Sequence, residues 1–168
     1  MKKVIILIGL KGSGKTYIGQ LLQDKLNVPF LRVEDICLKI QSGRQITDTN
    51  YISEVFVQIE AEIRKLLSSI DNLTIESTGS VIQFDQMVSN LKKDFNVKLI
   101  KVDTDPALCF QRVKTRDKKN HIAVSDDQVI EINNNSFKKK FDFDLIIENN
   151  NKTDKELLDA LVKVYNVN

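Results

Sequence analysis

The chain has 168 residues, 42% of them hydrophobic and 29% charged, with a formal net charge of +2. That length and balance fit one soluble domain able to bury roughly 70% of its unfolded surface, so neither a disulfide framework nor a structural metal is needed to hold it. So small a charge excess leaves no footprint for a nucleic acid and no pull toward a membrane surface. Met1-Lys2-Lys3 ahead of an apolar run imitates a secretory leader. The run from Val4 to Leu10 is far short of a bilayer span, however, and Lys11 interrupts it with no small-residue cleavage site after it. Val4-Ile5-Ile6-Leu7-Ile8 instead predicts a strand buried on both faces. Ile18, Leu21, Leu22 and Leu26 follow at helical spacing, and Val28 to Val33 reads as a second short strand. Cys37 and Cys109 read as small buried apolar residues carrying reduced thiols, which points to a cytoplasmic protein. From Ile52 to Ile70 apolar residues keep a helical stripe over five turns, predicting a helix across Tyr51 to Ile70.

Leu73-Thr74-Ile75 predicts a third strand, Val81 to Phe95 another helix, and Val97 to Val102 a fourth strand. Asp105-Pro106 places an N-cap ahead of proline at the first helical position, so a helix starts there and runs to about Arg116. Ser125 with Gln128 and Thr153 with Glu156 have capping-box spacing and predict two further helices, with a fifth strand from Phe141 to Ile147 between them. The run Lys138-Lys139-Lys140 and the asparagine triplets 133–135 and 149–151 read as solvated helix ends and loops. Strands separated by helices imply right-handed crossovers, hence an α/β fold of three layers built as one domain over residues 1–168.

Gly9-Leu10-Lys11-Gly12-Ser13-Gly14-Lys15-Thr16 matches G-x-x-x-x-G-K-[ST] at every fixed position. Each residue type has a reason. A polyphosphate carries several negative charges, and a loop that wraps it needs its N–H groups turned inward; glycine allows the dihedrals and the close backbone approach. A helix starting near Lys15 aims its free N–H groups and positive dipole end at the same phosphates. Lys15 adds a mobile cation for the β- and γ-phosphates, and Thr16 a hydroxyl for Mg²⁺. Three of the chain's six glycines lie between positions 9 and 14, with a strand before them and an amphipathic helix after.

With this loop in place, the order of parts resembles the small P-loop kinases of metabolites and nucleotides, the group of shikimate kinases, gluconate kinases and adenylate-kinase-like enzymes. The likeness covers nearly the whole chain. It implies a five-stranded parallel sheet ordered 2-3-1-4-5, Mg-ATP as phosphoryl donor, and a short lid near residues 116–127, where Asp117 to His121 follow the helix begun at Pro106. It also implies an acceptor-binding helical region over 34–70 and a monomer or weak homodimer. In that light Gly9, Lys11, Gly12, Ser13, Gly14, Lys15 and Thr16 bind the nucleotide. Glu34 and Asp35 follow strand two, where these kinases place an acid that handles the acceptor hydroxyl; Asp35 would equally serve as an N-cap. Glu76 ends strand three, where a carboxylate holds a magnesium-bound water, and Gly79 lets the acceptor approach the backbone. Arg112 and Arg116 are one helical turn apart and match the arginines that cover adenine and stabilise the transferring phosphoryl group. Cations at a helix C-terminus are the plainer reading of the same pair.

The acceptor is not legible. Val57 stands where shikimate kinases carry an arginine after the phenylalanine matching Phe56. Leu38 stands where nucleoside-monophosphate kinases carry one, with Lys39 or Arg44 as possible substitutes. The loop from Gln41 to Asn50, rich in hydroxyl and amide groups, suits a polar acceptor. Two other readings stay open. Asn151-Lys152-Thr153-Asp154 spells the guanine-reading N-K-x-D of a GTP switch, although helix capping explains the same letters and no later strand completes a base pocket. A nucleotide-binding protein with little turnover, or a kinase-like toxin or resistance factor, would use the same fold.

Overall fold

The computed structural model describes residues 1–117 and 121–165. Five parallel strands form one sheet in the order β2-β3-β1-β4-β5. They are β1 (Lys3–Ile8), β2 (Phe30–Leu31), β3 (Asn72–Ser77), β4 (Asn96–Asp103) and β5 (Leu145–Glu148). The helices described are α1 (Lys15–Leu26), α2 (Val33–Gln41), α3 (Thr49–Leu67), α4 (Ile82–Asp94), α5 (Pro106–Thr115), α6 (Asp126–Lys138) and α7 (Asp154–Tyr165). None of these is both long and apolar enough to cross a membrane. The layers are those the sequence pattern predicts, and the strand order is the one the family resemblance implies.

The unbroken apolar run of β1 has a simple cause. Alternate side chains point to opposite faces of a strand, and here both faces are covered. Val4, Ile6 and Ile8 pack under α2, α3 and α4 against Val55, Ile59, Ile63 and Phe84. Ile5 and Leu7 pack on the other side against Ile18 and Leu22 of α1 and Leu157 and Leu161 of α7. Because β1 lies between β3 and β4, the chain leaves it first toward one edge of the sheet and later toward the other. The ends of β1, β3 and β4 therefore border a crevice, the usual place for a ligand in an open α/β sheet.

Two strands are shorter than predicted. β2 pairs with β3 only over Phe30–Leu31, since Pro29 has no N–H to donate and Arg32 already caps α2. β5 starts at Leu145 rather than Phe141. Asp144 sets that start: its carboxylate accepts from the Leu99 N–H at 2.8 Å and its own N–H donates to the Leu99 carbonyl at 2.9 Å. Phe141 and Phe143 instead stack edge-on toward Phe84, with successive ring centroids 5.7 Å apart. Both predicted capping boxes form, Ser125 with Gln128 and Thr153 with Glu156.

Candidate active site

Residues 9–14 carry the chain from β1 to α1. Gly12 and Gly14 have φ of 92° and 93°, the left-handed region that side chains with a Cβ disfavour. Space forbids a Cβ as well: at Gly12 it would lie 2.2 Å from the Cys109 carbonyl oxygen. The loop is pressed onto its scaffold and held there by side chains from far along the chain. The Lys11 N–H donates to Asn133 Oδ1 at 2.7 Å. The Ser13 carbonyl accepts from Asn149 Nδ2 at 2.8 Å and from Thr104 Oγ1 at 3.0 Å. Asn133 and Asn149 are buried, so both depart from the solvated-loop reading of their triplets; no local sequence signal distinguishes them.

Lys15 is buried, its Nζ donating to the carbonyls of Gly9 at 2.9 Å and Leu10 at 2.8 Å. Burial pulls its pKa down from 10.5 to about 8, against the opposing attraction of Glu76. A desolvated cation of this kind gains most from an arriving anion. Thr16 Oγ1 donates to Glu76 Oε2 at 2.7 Å. The sheet register explains the meeting: Glu76 pairs with Leu7 and Ser77 with Ile8, which sets Glu76 beside the loop's origin. Among the described residues no three His, Cys, Asp or Glu side chains cluster to cage a metal. One hydroxyl and one carboxylate at a helix N-terminus are nonetheless the hard, sparse oxygen donors that suit Mg²⁺, an ion that keeps waters and takes phosphate ligands. The residues fit a magnesium-bound polyphosphate.

Glu34 and Asp35, left equivalent by the sequence, separate in space. The Glu34 side chain is 12% exposed and lines the cavity; that of Asp35 is 52% exposed, pairs with Arg32 at 2.7 Å and lies outside the lining. Asp35 does not cap α2 either, since the N-cap is Arg32. Glu34 accepts from Arg32 Nη2 at 3.0 Å and the Ile122 N–H at 2.9 Å. It also meets His121 Nδ1 at 2.7 Å and Lys11 Nζ at 3.8 Å. Burial alone would raise its pKa, but Lys11, the Ile122 amide and His121 together hold it below the ordinary carboxylate value.

The two arginines also part company. Arg112 lines the cavity, but its guanidinium donates to the carbonyls of Asn149 (3.2 and 3.3 Å) and Asn150 (3.1 Å), pinning the turn between β5 and α7. Arg116 ends α5, faces the cavity, and is half-buried; desolvation lowers its pKa while Glu34 pulls the other way. Of the lid segment, Lys118 to Asn120 lie outside the described residues. Gly79 does not open to the cavity. Its φ of 68° and missing Cβ accommodate the Phe141 ring, which a Cβ would meet at 3.0 Å, so packing rather than ligand approach accounts for this glycine.

These groups converge on one cavity of about 480 Å³, lined by the loop, Thr16, Glu76, Arg112 and Arg116 on one side and by α2, with Glu34, and α3 on the other. The polar loop between α2 and α3 contributes only Ile46 to that lining. Arg44 is turned away, paired with Glu54 at 2.7 Å and lying over the Tyr51 ring at 5.3 Å. The N-K-x-D letters serve as a helix start. Thr153 caps α7, Lys152 pairs with Glu156 at 3.5 Å, and Asp154 accepts from the Tyr17 hydroxyl at 2.5 Å.

Comparison with known proteins agrees with this geometry. The AAA domain family matches residues 4–142. A shikimate kinase of Enterococcus faecalis is 36% identical over 118 residues, 69% of this chain and 67% of the relative. One from Thermodesulfovibrio yellowstonii is 26% identical over 167 residues, 97% and 95% of the two chains. In three dimensions the chain is similar to a shikimate kinase of Bacteroides thetaiotaomicron, with a TM-score of 0.67 and 16% identity over 99% of this chain and all of the other. The match over most of the chain, together with a phosphate loop set at the crevice of a 2-3-1-4-5 sheet, identifies the chain as a member of the AAA domain family and, within it, of the small P-loop kinases, enzymes that move a phosphoryl group from ATP to a small molecule.

Proposed function

We propose that this chain transfers the γ-phosphoryl group of Mg-ATP to a hydroxyl of a small polar acceptor. One observation carries the reading: the phosphate loop, the Thr16–Glu76 pair and the buried carboxylate of Glu34 open into the same cavity, opposite a wall with room for a second molecule. Thr16 and Glu76 would hold Mg²⁺, which when bound would neutralise charge on the phosphates. Lys15 leaves its two carbonyl acceptors for the phosphates, and the first-turn N–H groups of α1, which have no intrahelical acceptor, donate to them.

In the transfer, the acceptor oxygen bonds to the γ-phosphorus as the bond to the bridging oxygen breaks, and ADP departs. The acceptor proton passes to the Glu34 carboxylate late in the step. All of Glu34's present partners are donors, so the entering hydroxyl replaces one of them. His121, carried on the segment after α5, is the exchangeable one. Arg116 faces the place where charge accumulates, and its role is to stabilise the phosphoryl group in flight.

The test is a coupled ADP-release assay over shikimate, gluconate, nucleosides, nucleoside monophosphates and aminoglycosides, with Lys15→Met as control. The variant should lose transfer by roughly a thousandfold or more while keeping the fold by circular dichroism. Acceptor-independent hydrolysis alone, or a Lys15→Met protein with ordinary turnover, refutes the reading.

A further inference from the structure

The acceptor end of the cavity has a largely apolar wall. Val33, Cys37, Tyr51, Ile52, Val55 and Phe56, all from α2 and α3, face it. Tyr51 contributes its ring more than its hydroxyl, because that hydroxyl donates to the Cys37 carbonyl at 3.1 Å. The Cys37 thiol is pushed by burial up to about 11 and so stays neutral. Polar groups at this end include Glu34 with its partner His121, Ser77, and the hydroxyls of Thr78 and Ser80, which hydrogen-bond to each other at 2.9 Å.

No cation faces the wall from its own helices. Among the described residues, the lysines and arginines that line the cavity are Lys11 and Lys15 from the loop and Arg112 and Arg116 from α5. Lys11 is paired with Glu34, Lys15 is held by two carbonyls, and Arg112 by those of Asn149 and Asn150. The basic groups nearest the wall from outside are committed too. Arg44 is bound to Glu54 and to the Ile40 carbonyl, and Arg32 to Glu34 and Asp35. A carboxylate or phosphate lying on this wall would lose its water and stand next to the Glu34 carboxylate, and the uncommitted lining cation, Arg116, is the one the proposed transfer directs to the phosphoryl group. A ring or branched alkyl surface lying there would instead meet aromatic and aliphatic partners.

Resting on the kinase reading above, we infer that the acceptor is an uncharged molecule that bears a hydroxyl on one side and an aromatic or aliphatic face on the other. The face lies on Tyr51, Ile52, Val55 and Phe56, and the hydroxyl points to Glu34. Its polarity is confined to the reacting end, where Thr78 and Ser80 add hydrogen bonds.

Matched pairs that differ in one charge test this: methyl shikimate against shikimate, thymidine against thymidine monophosphate, and phenylethanediol against mandelate. Binding to the protein loaded with magnesium and a non-hydrolysable ATP analogue is measured by calorimetry, and turnover by ADP release. The neutral member should lead its partner by about tenfold or more in affinity, and in kcat/KM wherever the pair is turned over. Ile52→Arg, which places a cation on the half-buried part of the wall, should erase or reverse that lead. Equal or better binding by the charged members overturns the inference and leaves ATP-dependent transfer standing. Failure of every neutral compound to bind the loaded protein overturns it as well. Failure to bind the nucleotide analogue at all is separately visible and removes the kinase reading beneath it.

Discussion

The two halves of the cavity are built on different principles. On the nucleotide side the chemistry belongs to the backbone: loop amides, a helix end and a lysine folded onto carbonyls, all fixed by three buried side chains from residues 104, 133 and 149. On the acceptor side it belongs to side chains projecting from α2 and α3, whose backbones are ordinary helix. A backbone site tolerates few sequences, since the left-handed dihedrals at Gly12 and Gly14 and the close approach of Cys109 dictate residue type. A side-chain site on a helix can be rewritten without disturbing the fold. One half of the enzyme is therefore fixed by geometry and the other is free to specialise.

That contrast can be broken at several points. The largest effect should fall where the halves meet. Glu34→Gln keeps the shape but removes the proposed proton acceptor, and kcat should drop by about a hundredfold or more. Asp35→Asn, one residue along and outside the cavity, should stay within about twofold, as exposed sites usually do. If the two variants behave alike, the acceptor-side acid has been misassigned.

Arg116→Ala should lower kcat by about a hundredfold with a smaller change in the KM for ATP, consistent with a group that acts on developing charge. Arg112→Ala should show the opposite split, because its guanidinium holds the carbonyls of residues 149 and 150. Steady-state kinetics at saturating acceptor distinguishes these patterns.

Next comes the buttress. Asn149→Ala leaves the Ser13 carbonyl with Thr104 as its remaining side-chain donor. Stability should fall by about 1–2 kcal/mol and ATP affinity by roughly tenfold, while acceptor binding is nearly unchanged. Urea melts and calorimetry would read the two effects separately.

The smallest effect is a pH dependence. Lys15 in the nucleotide-free protein loses its proton near pH 8 rather than 10.5, and bound phosphates raise that value again. Nucleotide binding then takes up a proton at higher pH, so ATP affinity should decline as pH rises past about 8, most steeply between there and 10.5. The folded value lies below the unfolded one, so the stability cost of the buried cation is fully present below pH 8 and is relieved above it. Lys15→Met should accordingly raise the melting temperature at pH 7 while abolishing the pH dependence of nucleotide binding.

What was legible in the sequence follows the same division. The loop was legible because its residues are forced by local backbone geometry, and Glu76 through the family resemblance, which puts a carboxylate at the end of the strand beside that loop. Glu34 and Asp35 were indistinguishable until the phase of α2 was known. A step of one residue turns a side chain about 100° around a helix, and with α2 starting at Val33 the turn sends Glu34 inward and Asp35 to solvent. Asn133 and Asn149 were opaque for another reason. Their partners lie 122 and 136 positions away, and a run of asparagines ordinarily reads as a turn or loop. Gly79 misled because a glycine that admits a neighbouring ring looks the same in sequence as one that admits a ligand.

The asparagine clamps have a consequence for how the enzyme comes into being. Synthesis proceeds from the first strand onward, so the phosphate loop leaves the ribosome long before residues 133 and 149 exist. Until those late segments dock, the Lys11 amide lacks Asn133 and the Ser13 carbonyl lacks Asn149, keeping Thr104 as its side-chain donor. Competence to hold a nucleotide should thus arrive abruptly once residues 133 and 149 have docked on the loop.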